Sequence, residues 1–409
     1  MAASFLVLPL ALLLLLPGLL LLVSDLIQRG IAQGADGGHL SEDTLHPSDV
    51  AQLPTFLILV PAHEEQEVIE ACVTSLQRQD YPSQAYRPVV IADNCSDKTA
   101  DIARACGIDC LERQDRTNRG KPYALAWAIE QLELGEWDYV VVVDADTKAS
   151  SDFTAALAEA ALASNGHPHF QAYYGLSNTD DSWLTQLSNL LVKVRYEALY
   201  PLKQMAGLNC PLTGNGMCFR ADALDDEGWT FFSLTENWEA YARLTLSGEQ
   251  IEFVPNARLF AEETPSANQS ATRRQRWLAG RYGVLARTAY PLATSREIGW
   301  LQKLDSLAEL SYPGPILHAD AVLAVTLLGY LTFPLQWATV LAAIGLMTLM
   351  PVSLPALVIA RREDNLTPLL KSLTRLPFYA VWRLGLAALT ALRGLTGIEW
   401  EKTDRSPPL

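Results

Sequence analysis

The sequence is short of basic residues: among its 409 residues, 31 lysines and arginines stand against 46 aspartates and glutamates, a formal charge of -15 at pH 7. Proteins that bind DNA or RNA need clustered cations to neutralise phosphates, so this charge balance predicts no nucleic-acid partner. Disorder is also excluded for most of the chain, because 49% of the residues are hydrophobic and only 19% are charged.

Two further patterns are missing. The six cysteines, at positions 72, 95, 106, 110, 210 and 218, form no C-x-x-C pair and no disulfide-like spacing. We therefore expect reduced, mostly buried thiols in a cytosolic compartment. No G-x-G-x-x-G motif follows the first predicted strand, where Pro61, Ala62 and His63 stand instead. A Rossmann-type oxidoreductase needs those glycines, so this class is disfavoured.

Long apolar runs, by contrast, are present. The run from Leu6 to Val23 contains no charge and predicts a transmembrane anchor over residues 1–25. A secretory signal peptide is the alternative, but no basic residue precedes the run and no small-x-small cleavage site follows it. Arg29 follows the run, and the positive-inside rule then places the next domain in the cytoplasm.

A second apolar run, from Ala319 to Ala360, is about twice as long as one membrane span. It predicts a transmembrane hairpin over residues 319–362 that turns near residues 334–336; a buried pair of core helices is the alternative. Residues 26–52 are polar and are predicted to be a linker. Residues 363–409 carry spaced cations and predict amphipathic interfacial helices and a tail on an anionic leaflet, with Pro377 dividing the helical stretch.

The remaining residues, 53–318, form the predicted soluble domain. Apolar strands are expected at Thr55–Val60, Val89–Asp93, Ile108–Leu111 and Tyr139–Val143, and helical patterns separate them, including one over Gly120–Leu134. This alternation predicts an α/β fold, a mostly parallel sheet with helices on both faces. Ligands of such sheets bind at the carboxyl ends of the strands.

Polar residues follow these strands at the expected edge. Asp144 and Asp146 come after the most hydrophobic strand, where two carboxylates repel each other unless a cation lies between them. We therefore expect Mg²⁺ or Mn²⁺ together with a diphosphate ligand, whereas the alternative is that the pair caps a helix. Asp93 offers acceptors for a base or ribose. Lys121 offers a cation, although a solvated surface lysine is its ordinary role.

Seven motifs then occur in an order that resembles the membrane glycosyltransferases of family 2, of the cellulose-synthase-like and N-acetylglucosaminyltransferase-like group. The resemblance covers residues 56–277 and implies the GT-A fold. The motifs are Val60-Pro61-Ala62-His63-Glu64-Glu65, Ala92-Asp93-Asn94-Cys95-Ser96-Asp97-Lys98-Thr99, Asn118-Arg119-Gly120-Lys121, Asp144-Ala145-Asp146, Thr213-Gly214-Asn215-Gly216-Met217, Leu234-Thr235-Glu236-Asn237 and Arg273-Arg274-Gln275-Arg276-Trp277.

The resemblance also implies roles for individual residues. Asp144 would face the ribose and diphosphate, and Asp146 would bind the metal ion. The other implied roles are a uridine or ribose pocket at Pro61, Ala62 and Glu65, nucleobase contact by Asp93, nucleotide-sugar contact by Lys121, a donor-sugar and acceptor pocket at Gly214, Asn215 and Gly216, and diphosphate and acceptor contacts by Arg276 and Trp277.

Three positions depart from the family motifs. Glu64 replaces a usual asparagine, Arg273 a usual glutamine, and Asn237 the aspartate that accepts the acceptor proton. A neutral amide is no base, so the proton must go to a nearby carboxylate. Glu236 is preferred and Glu239 is the other candidate; alternatively, Glu236 only pairs with an arginine such as Arg276.

The expected protein is a cytoplasm-facing, membrane-anchored, metal-dependent inverting glycosyltransferase. It would move a sugar from a nucleotide-diphosphate sugar, expected to be UDP-linked, to a hydroxyl of a lipid-linked or cell-envelope glycan acceptor. Because of Asn237 and Arg273, the alternative is a catalytically silent membrane protein that binds sugar nucleotides or serves as a scaffold.

Overall fold

The computed structural model describes residues 2–34, 53–164, 168–264, 271–362 and 367–393. The chain forms two compact units, and it enters each of them more than once. The sheet unit comprises Ala35–Asn178 and Asn209–Glu263, and the helical unit comprises Met1–Gly34, Thr179–Leu208 and Thr264–Leu409. Helices and strands are numbered in chain order through both units.

The sheet unit alternates strands and helices, as the sequence predicts. Its elements are β1 (Phe56–Ala62), α2 (Ile69–Gln77), β2 (Tyr86–Asp93), α3 (Thr99–Ala105), β3 (Asp109–Arg113), α4 (Lys121–Gln131), a 3₁₀ turn (Leu134–Glu136), β4 (Tyr139–Val142), β5 (Thr147–Ala149), α5 (Phe153–Ala163), β6 (His169–Leu176), β7 (Met217–Arg220), α8 (Ala221–Glu227), α9 (Glu236–Leu246) and β8 (Ile251–Ala261).

The strands of the described residues form one mixed sheet in the order β3-β2-β1-β4-β7-β6-β8-β5. The block β3-β2-β1-β4 is parallel, β7 is antiparallel to β4 and β6, and β8 is parallel to β6. The predicted α/β class is therefore confirmed. The predicted strands are found with ends shifted by a few residues, because hydrogen bonding to neighbouring strands, rather than hydropathy, sets where a strand stops.

The core of the sheet unit explains the uninterrupted apolar runs. Residues 56–60 and 140–143 are fully buried, since helices cover both faces of the sheet. The rings of Phe56, Tyr139 and Phe170 pack in series, with centroids 5.6 and 5.5 Å apart. This packing anchors the first residues of β1 and β4 against β6.

The helical unit contains the remaining elements. They are α1 (Ala2–Gly34), α6 (Trp183–Lys193), a π-helical turn (Val194–Leu199), α7 (Tyr200–Met205), α10 (Ala271–Thr294), α11 (Trp300–Ser311), α12 (Pro315–Thr332), α13 (Leu335–Ala360), α14 (Thr367–Leu373) and α15 (Leu376–Arg393).

Three helices in the described part of the chain are long and apolar enough to cross a membrane: Val7–Gly34, Pro315–Thr332 and Leu335–Ala360. The hairpin turn falls at residues 333–334, near its predicted place. Gly18 lets α1 approach α12 closely, because an added Cβ would collide with Nε2 of His318. That nitrogen is in turn 2.7 Å from Oγ1 of Thr348 on α13.

The first helix continues to Gly34, beyond residue 25 where the anchor was expected to end. The reason is a buried polar network that accommodates the side chains after the apolar run. Oδ1 of Asp305 accepts hydrogen bonds from Ser24 Oγ and Gln28 Nε2, both at 2.9 Å. Lys203 Nζ lies 2.5 Å from the same oxygen and 3.1 Å from Oε1 of Glu309. The other predicted linker residues, 35–52, lie outside the described residues.

The predicted interfacial segment contains α14 and α15, with Pro377 in the first turn of α15. Residues 363–366 and 394–409 lie outside the described residues. All six cysteines are free thiols. Three of them, Cys72, Cys210 and Cys218, are buried, and the other three are partly buried. Fewer thiols are therefore buried than expected. The partly buried ones lie at loops and edges, where hydrophobic composition does not decide burial.

Candidate active site

The carboxyl ends of three adjacent parallel strands bring the predicted site residues of the sheet unit to one edge. Ala62 at the end of β1 is the register partner of Ala92 on β2, and Val142 on β4 is the partner of Leu59 on β1. Asp93 ends β2 and Asp144 follows β4. The strand register thus brings these side chains to the edge where the sequence predicts them.

The loop after β1 is held by Glu64, at the position where the family motif has asparagine. Its backbone is in the left-handed region, with φ of +57°, which asparagine tolerates better than most residues. The Glu64 carboxylate accepts hydrogen bonds from the backbone N–H and the hydroxyl of Ser96, at 2.6 and 2.9 Å. The next residue, Glu65, donates its N–H to Thr99 Oγ1 at 2.8 Å. Glu64 thus joins the loops after β1 and β2 next to Pro61 and Ala62.

Asp93 is buried and forms an ion pair that the sequence analysis missed. Its Oδ1 accepts from Arg113 Nη1 at 2.7 Å and from Asn94 Nδ2 at 3.0 Å. Arg113 is itself buried and is the register partner of Asp93 on the parallel strand β3. This pairing satisfies one carboxylate oxygen, and Oδ2 has no hydrogen bond to any residue that the structure describes. The local sequence carries no signal for this pair, because it depends on the register between β2 and β3.

Lys121, the first residue of α4, is not a surface lysine. Its ammonium donates to Asp144 Oδ1 at 2.6 Å and to the carbonyl oxygen of Gly214, and it lies 3.8 Å from Oε1 of Glu236. Burial opposes the charge on Lys121, but the two carboxylates outweigh it and hold its pKa above the usual value. The site therefore contains a permanent cation between two acidic side chains.

Asn215 positions the two-aspartate loop. Its Oδ1 accepts from the backbone N–H of Asp144 at 3.2 Å, and its Nδ2 donates to Thr147 Oγ1 at 2.8 Å. The flanking residues Gly214 and Gly216 have φ of +94° and +69°, a conformation that favours glycine. A Cβ on Gly216 would lie 2.8 Å from the Cβ of Ala172. The backbone conformation therefore favours the two glycines of the Gly-Asn-Gly motif. Its asparagine holds the loop that carries Asp144 and Asp146 through two hydrogen bonds.

Asp144 and Asp146 supply hard oxygen ligands of the kind that Mg²⁺ and Mn²⁺ prefer. The Asp144 side chain is 40% exposed, and Oδ1 of Asp146 accepts from Thr147 Oγ1 at 3.3 Å. The described residues contain no group of three or more His, Cys, Asp or Glu side chains arranged around a metal position. One or two carboxylates completed by ligand phosphate oxygens is the usual way Mg²⁺ is held with nucleotides, so these residues fit that type of site.

The side chains of Glu236, Asn237 and Glu239, in the first turns of α9, make different contacts. Asn237 donates its side-chain N–H to the carbonyl oxygen of Leu212 at 2.8 Å. Glu239 accepts from the backbone N–H of Ser233 at 2.8 Å. Both side chains thus hold neighbouring loops, whereas Glu236 lies beside the Lys121 ammonium.

Arg276 and Trp277 belong to α10 of the helical unit. The Arg273 guanidinium lies over the Trp277 ring, 5.1 Å from its centroid, and Trp277 is 47% exposed. The arginine that replaces the family glutamine therefore contacts the motif's own tryptophan.

A model of the family described as "Glycosyltransferase like family 2" matches residues 54–280, more than half of the chain. The chain belongs to glycosyltransferase family 2. This confirms the family that the ordered motifs indicated. The matched range includes every candidate site residue, those of α10 as well as those of the sheet unit.

Two of the curated proteins similar to this chain are named as a glucosyldiacylglycerol synthase and a glucomannan mannosyltransferase. The beta-monoglucosyldiacylglycerol synthase of Trichormus variabilis is 27% identical over 238 residues, which is 56% of this chain and 49% of that protein. The probable glucomannan 4-beta-mannosyltransferase 4 of Oryza sativa subsp. japonica is 21% identical over 290 residues, 67% of this chain and 52% of that protein. The chain thus spans about half the length of these curated relatives.

Among solved structures, a mannosyltransferase from Pyrobaculum calidifontis in complex with GDP-Man and Mn²⁺ shares the fold. Its TM-score is 0.57 at 16% identity, with 95% of this chain and 100% of that chain covered. The family 2 chain described here therefore has the GT-A-type fold that the resemblance implied.

Proposed function

We propose that this family 2 glycosyltransferase moves a sugar from a nucleotide-diphosphate sugar to an acceptor hydroxyl, with inversion at the anomeric carbon and with a divalent metal ion. The observation that carries the proposal is the Lys121 ammonium held between Asp144, which follows β4, and Glu236, the first residue of α9. A cation and two acids at this edge can serve a diphosphate leaving group and an attacking hydroxyl together.

The donor would bind across the ends of β1, β2 and β4. Asp93 would receive the base through Oδ2, because Oδ1 is occupied by Arg113 and Asn94. Pro61, Ala62 and Glu65 would line the ribose side, with their loop held by Glu64. Asp146, with Asp144, would hold Mg²⁺ or Mn²⁺. When bound, that ion would neutralise the charge that develops on the departing diphosphate.

We further propose Glu236 as the catalytic base. Asn237 is a neutral amide that donates a hydrogen bond to the carbonyl oxygen of Leu212, and the Glu239 carboxylate accepts a hydrogen bond from the Ser233 N–H. In the reaction, the acceptor oxygen forms a bond to the anomeric carbon as the carbon–oxygen bond to the diphosphate breaks. The acceptor proton passes to the Glu236 carboxylate, and the bonding electron pair leaves with the diphosphate.

A lipid-linked or lipid-proximal acceptor is favoured by the helical unit and by the relatives. The membrane-length helices expose large apolar side chains, among them Leu13 at 68%, Leu331 at 81% and Leu346 at 62%. Exposed apolar side chains on membrane-length helices are expected to lie in lipid. One relative is named as a synthase of a glucosyldiacylglycerol, which is a lipid. We propose an integral membrane protein whose sheet unit faces the cytoplasm.

The test is transfer activity in two matched variants, measured as release of nucleoside diphosphate with a panel of sugar nucleotides and Mg²⁺ or Mn²⁺. Glu236→Gln removes only the charge and should lower kcat roughly a hundredfold or more while donor affinity is retained. Glu239→Gln should retain most of its turnover. A large loss in Glu239→Gln alone would move the base to that residue.

The same assay separates the alternative of a silent binding protein, which Asn237 suggests because it occupies the position of the usual base. Donor binding in the wild-type chain with neither transfer nor donor hydrolysis, for every sugar nucleotide tested, would overturn the transferase proposal.

A further inference from the structure

A cleft in the helical unit brings two arginines together outside the proposed active site. It holds about 390 Å³, part of it open to solvent. Its lining is largely apolar and comes from α6, α10, α15 and the start of α12. The residues that matter for its chemistry are Arg274, Arg383, Tyr379, Gly314 and Pro315.

The two arginines concentrate positive charge in the cleft. The Arg274 guanidinium lies 5.9 Å from the centroid of the Tyr379 ring, and that ring is buried. Arg383 is half-buried, and no hydrogen bond or ion pair joins it to any residue in the described ranges, although Asp320 attracts it at longer distance. Burial lowers the pKa of Arg383, and the neighbouring charge of Arg274 lowers it further. The arrangement therefore favours a bound anion.

The start of α12 adds to this field. Gly314 and Pro315 line the cleft at the N-terminus of that helix, where unpaired N–H groups and the helix dipole favour negative charge. The same helix is one of the three that are long and apolar enough to cross a membrane. The cleft thus opens beside the first turn of a membrane-length helix.

We propose that this cleft binds a phosphate group, with Arg274 and Arg383 gripping its oxygens, and that an anionic lipid carries it. Guanidinium groups bind phosphate through paired, charge-assisted hydrogen bonds. Leu184, Leu187 and Leu191 line the same cleft and offer an apolar wall, which suits an acyl chain and not a soluble phosphate ion. Because the site lies within the helical unit and its test measures binding, the outcome is independent of the transfer reaction.

The experiment titrates the purified full chain in neutral detergent with three probes and follows Tm. Phosphatidic acid carries the phosphate and the acyl chains, diacylglycerol carries the acyl chains alone, and inorganic phosphate is the soluble form. Phosphatidic acid should raise Tm at concentrations where the other two do not, because only bound ligand stabilises the fold.

The variants Arg383→Gln and Arg274→Gln should each weaken phosphatidic acid binding roughly tenfold or more, since each loses a charge-assisted hydrogen bond to phosphate. Arg383→Lys keeps the charge and should lose less than Arg383→Gln. Arg375→Gln is the matched control, because Arg375 is exposed immediately before α15 and does not line the cleft. Its binding should equal that of the wild type.

The results that would overturn the inference are equally specific. If inorganic phosphate raised Tm as much as phosphatidic acid does, the cleft would bind soluble phosphate and the proposed lipid ligand would be wrong. If diacylglycerol raised Tm as much, the cleft would not recognise the phosphate group. A loss in Arg375→Gln as large as that in Arg383→Gln would show a general attraction between the basic segment and anionic lipid, with no specific site.

Discussion

At the scale of single residues, the site is organised by side chains that hold other side chains. Lys121 is bound to Asp144 and to the Gly214 carbonyl oxygen, and Asn215 fixes the backbone of the same aspartate. Asp144 is therefore restrained from two directions before any ligand arrives. Preorganised charge of this kind lowers the reorganisation that a transfer reaction would otherwise require.

Asp146 gives the first prediction at this scale. Asp146→Asn keeps the shape of the side chain but removes the charge that would bind the metal ion. Divalent-stimulated turnover should fall roughly a hundredfold or more, because the lost stabilisation of the leaving group is worth several kcal/mol. Turnover is measured against Mg²⁺ or Mn²⁺ concentration.

Asp152→Asn is the control for this measurement, since Asp152 is exposed and its side chain makes no cap hydrogen bond at the start of α5. Its turnover and metal dependence should match those of the wild type. Normal metal dependence in Asp146→Asn would remove this residue from the metal site.

His169 predicts a dependence of stability on pH. Burial lowers its pKa to about 4, and Arg220 adds to the effect. The unfolded chain, with a histidine pKa of about 6.5, binds this proton first as the pH falls. Above about pH 6.5 His169 is neutral in both states and does not lower the free energy of unfolding. As the pH falls from about 6.5 towards 4, the free energy of unfolding decreases by about 3 kcal/mol in all.

His169→Asn should flatten this dependence. In the wild type, His169 Nδ1 accepts a hydrogen bond from the backbone N–H of Arg220 at 3.2 Å. The side-chain oxygen of asparagine can accept the same hydrogen bond, and asparagine does not titrate. Tm of the detergent-solubilised chain is followed from pH 7 to pH 4 in both proteins. If Tm fell equally steeply in the two, His169 would not be the group responsible.

At the scale of secondary-structure elements, the sequence predicts most of what hydropathy controls. The valine run before Asp144 forms β4, and the long apolar run after Ala319 forms parts of α12 and α13. The contacts of Arg113 and Asn215 were not predicted, because they depend on which strands are neighbours. Parallel pairing of β2 with β3 brings Arg113 to Asp93 across 20 positions, and no local pattern contains that register.

The start of β7 supplies a prediction at this scale. Gly216→Ala should destabilise the sheet unit by about 2 kcal/mol or more, since alanine is disfavoured at φ of +69° and its Cβ would meet Ala172. Donor affinity should fall as well, because Asn215 beside it would shift. Tm and calorimetric donor binding are the measurements.

The matched control is Gly135→Ala, where an added Cβ meets nothing within 4 Å. Its Tm should stay within a degree or two of the wild type. Equal Tm values for the two alanine variants would show that the Gly216 backbone has room to adjust.

At the scale of the whole molecule, the two units have different chemistry. The sheet unit carries the proposed donor site, and the helical unit carries the membrane-length helices and the buried network around Asp305. The apolar helices are predictable from composition. The network is not, because Ser24, Lys203 and Asp305 are polar residues with no shared motif.

Lys203 tests that network. Lys203→Met leaves the buried Asp305 carboxylate without its ammonium partner, and removing one partner of a buried ion pair costs about 3–5 kcal/mol. Tm should therefore fall by many degrees, whereas Lys371→Met, at an exposed lysine of the same unit, should leave it nearly unchanged.

A double variant, Lys203→Met with Asp305→Asn, should lose less stability than the two single changes added together, because the charge left behind in each single variant is removed. Strict additivity would mean that the two side chains do not interact energetically.

The same network sets an order of events during synthesis. Lys203 and Asp305 are 102 positions apart, and Ser24 and Asp305 are 281 apart. At about 5–20 residues per second, Lys203 waits roughly 5–20 s on the ribosome for its carboxylate. The last segment of the sheet unit ends at Glu263, before Asp305 is made. The nascent chain can thus complete its sheet unit while its first helix still lacks the partner that secures it.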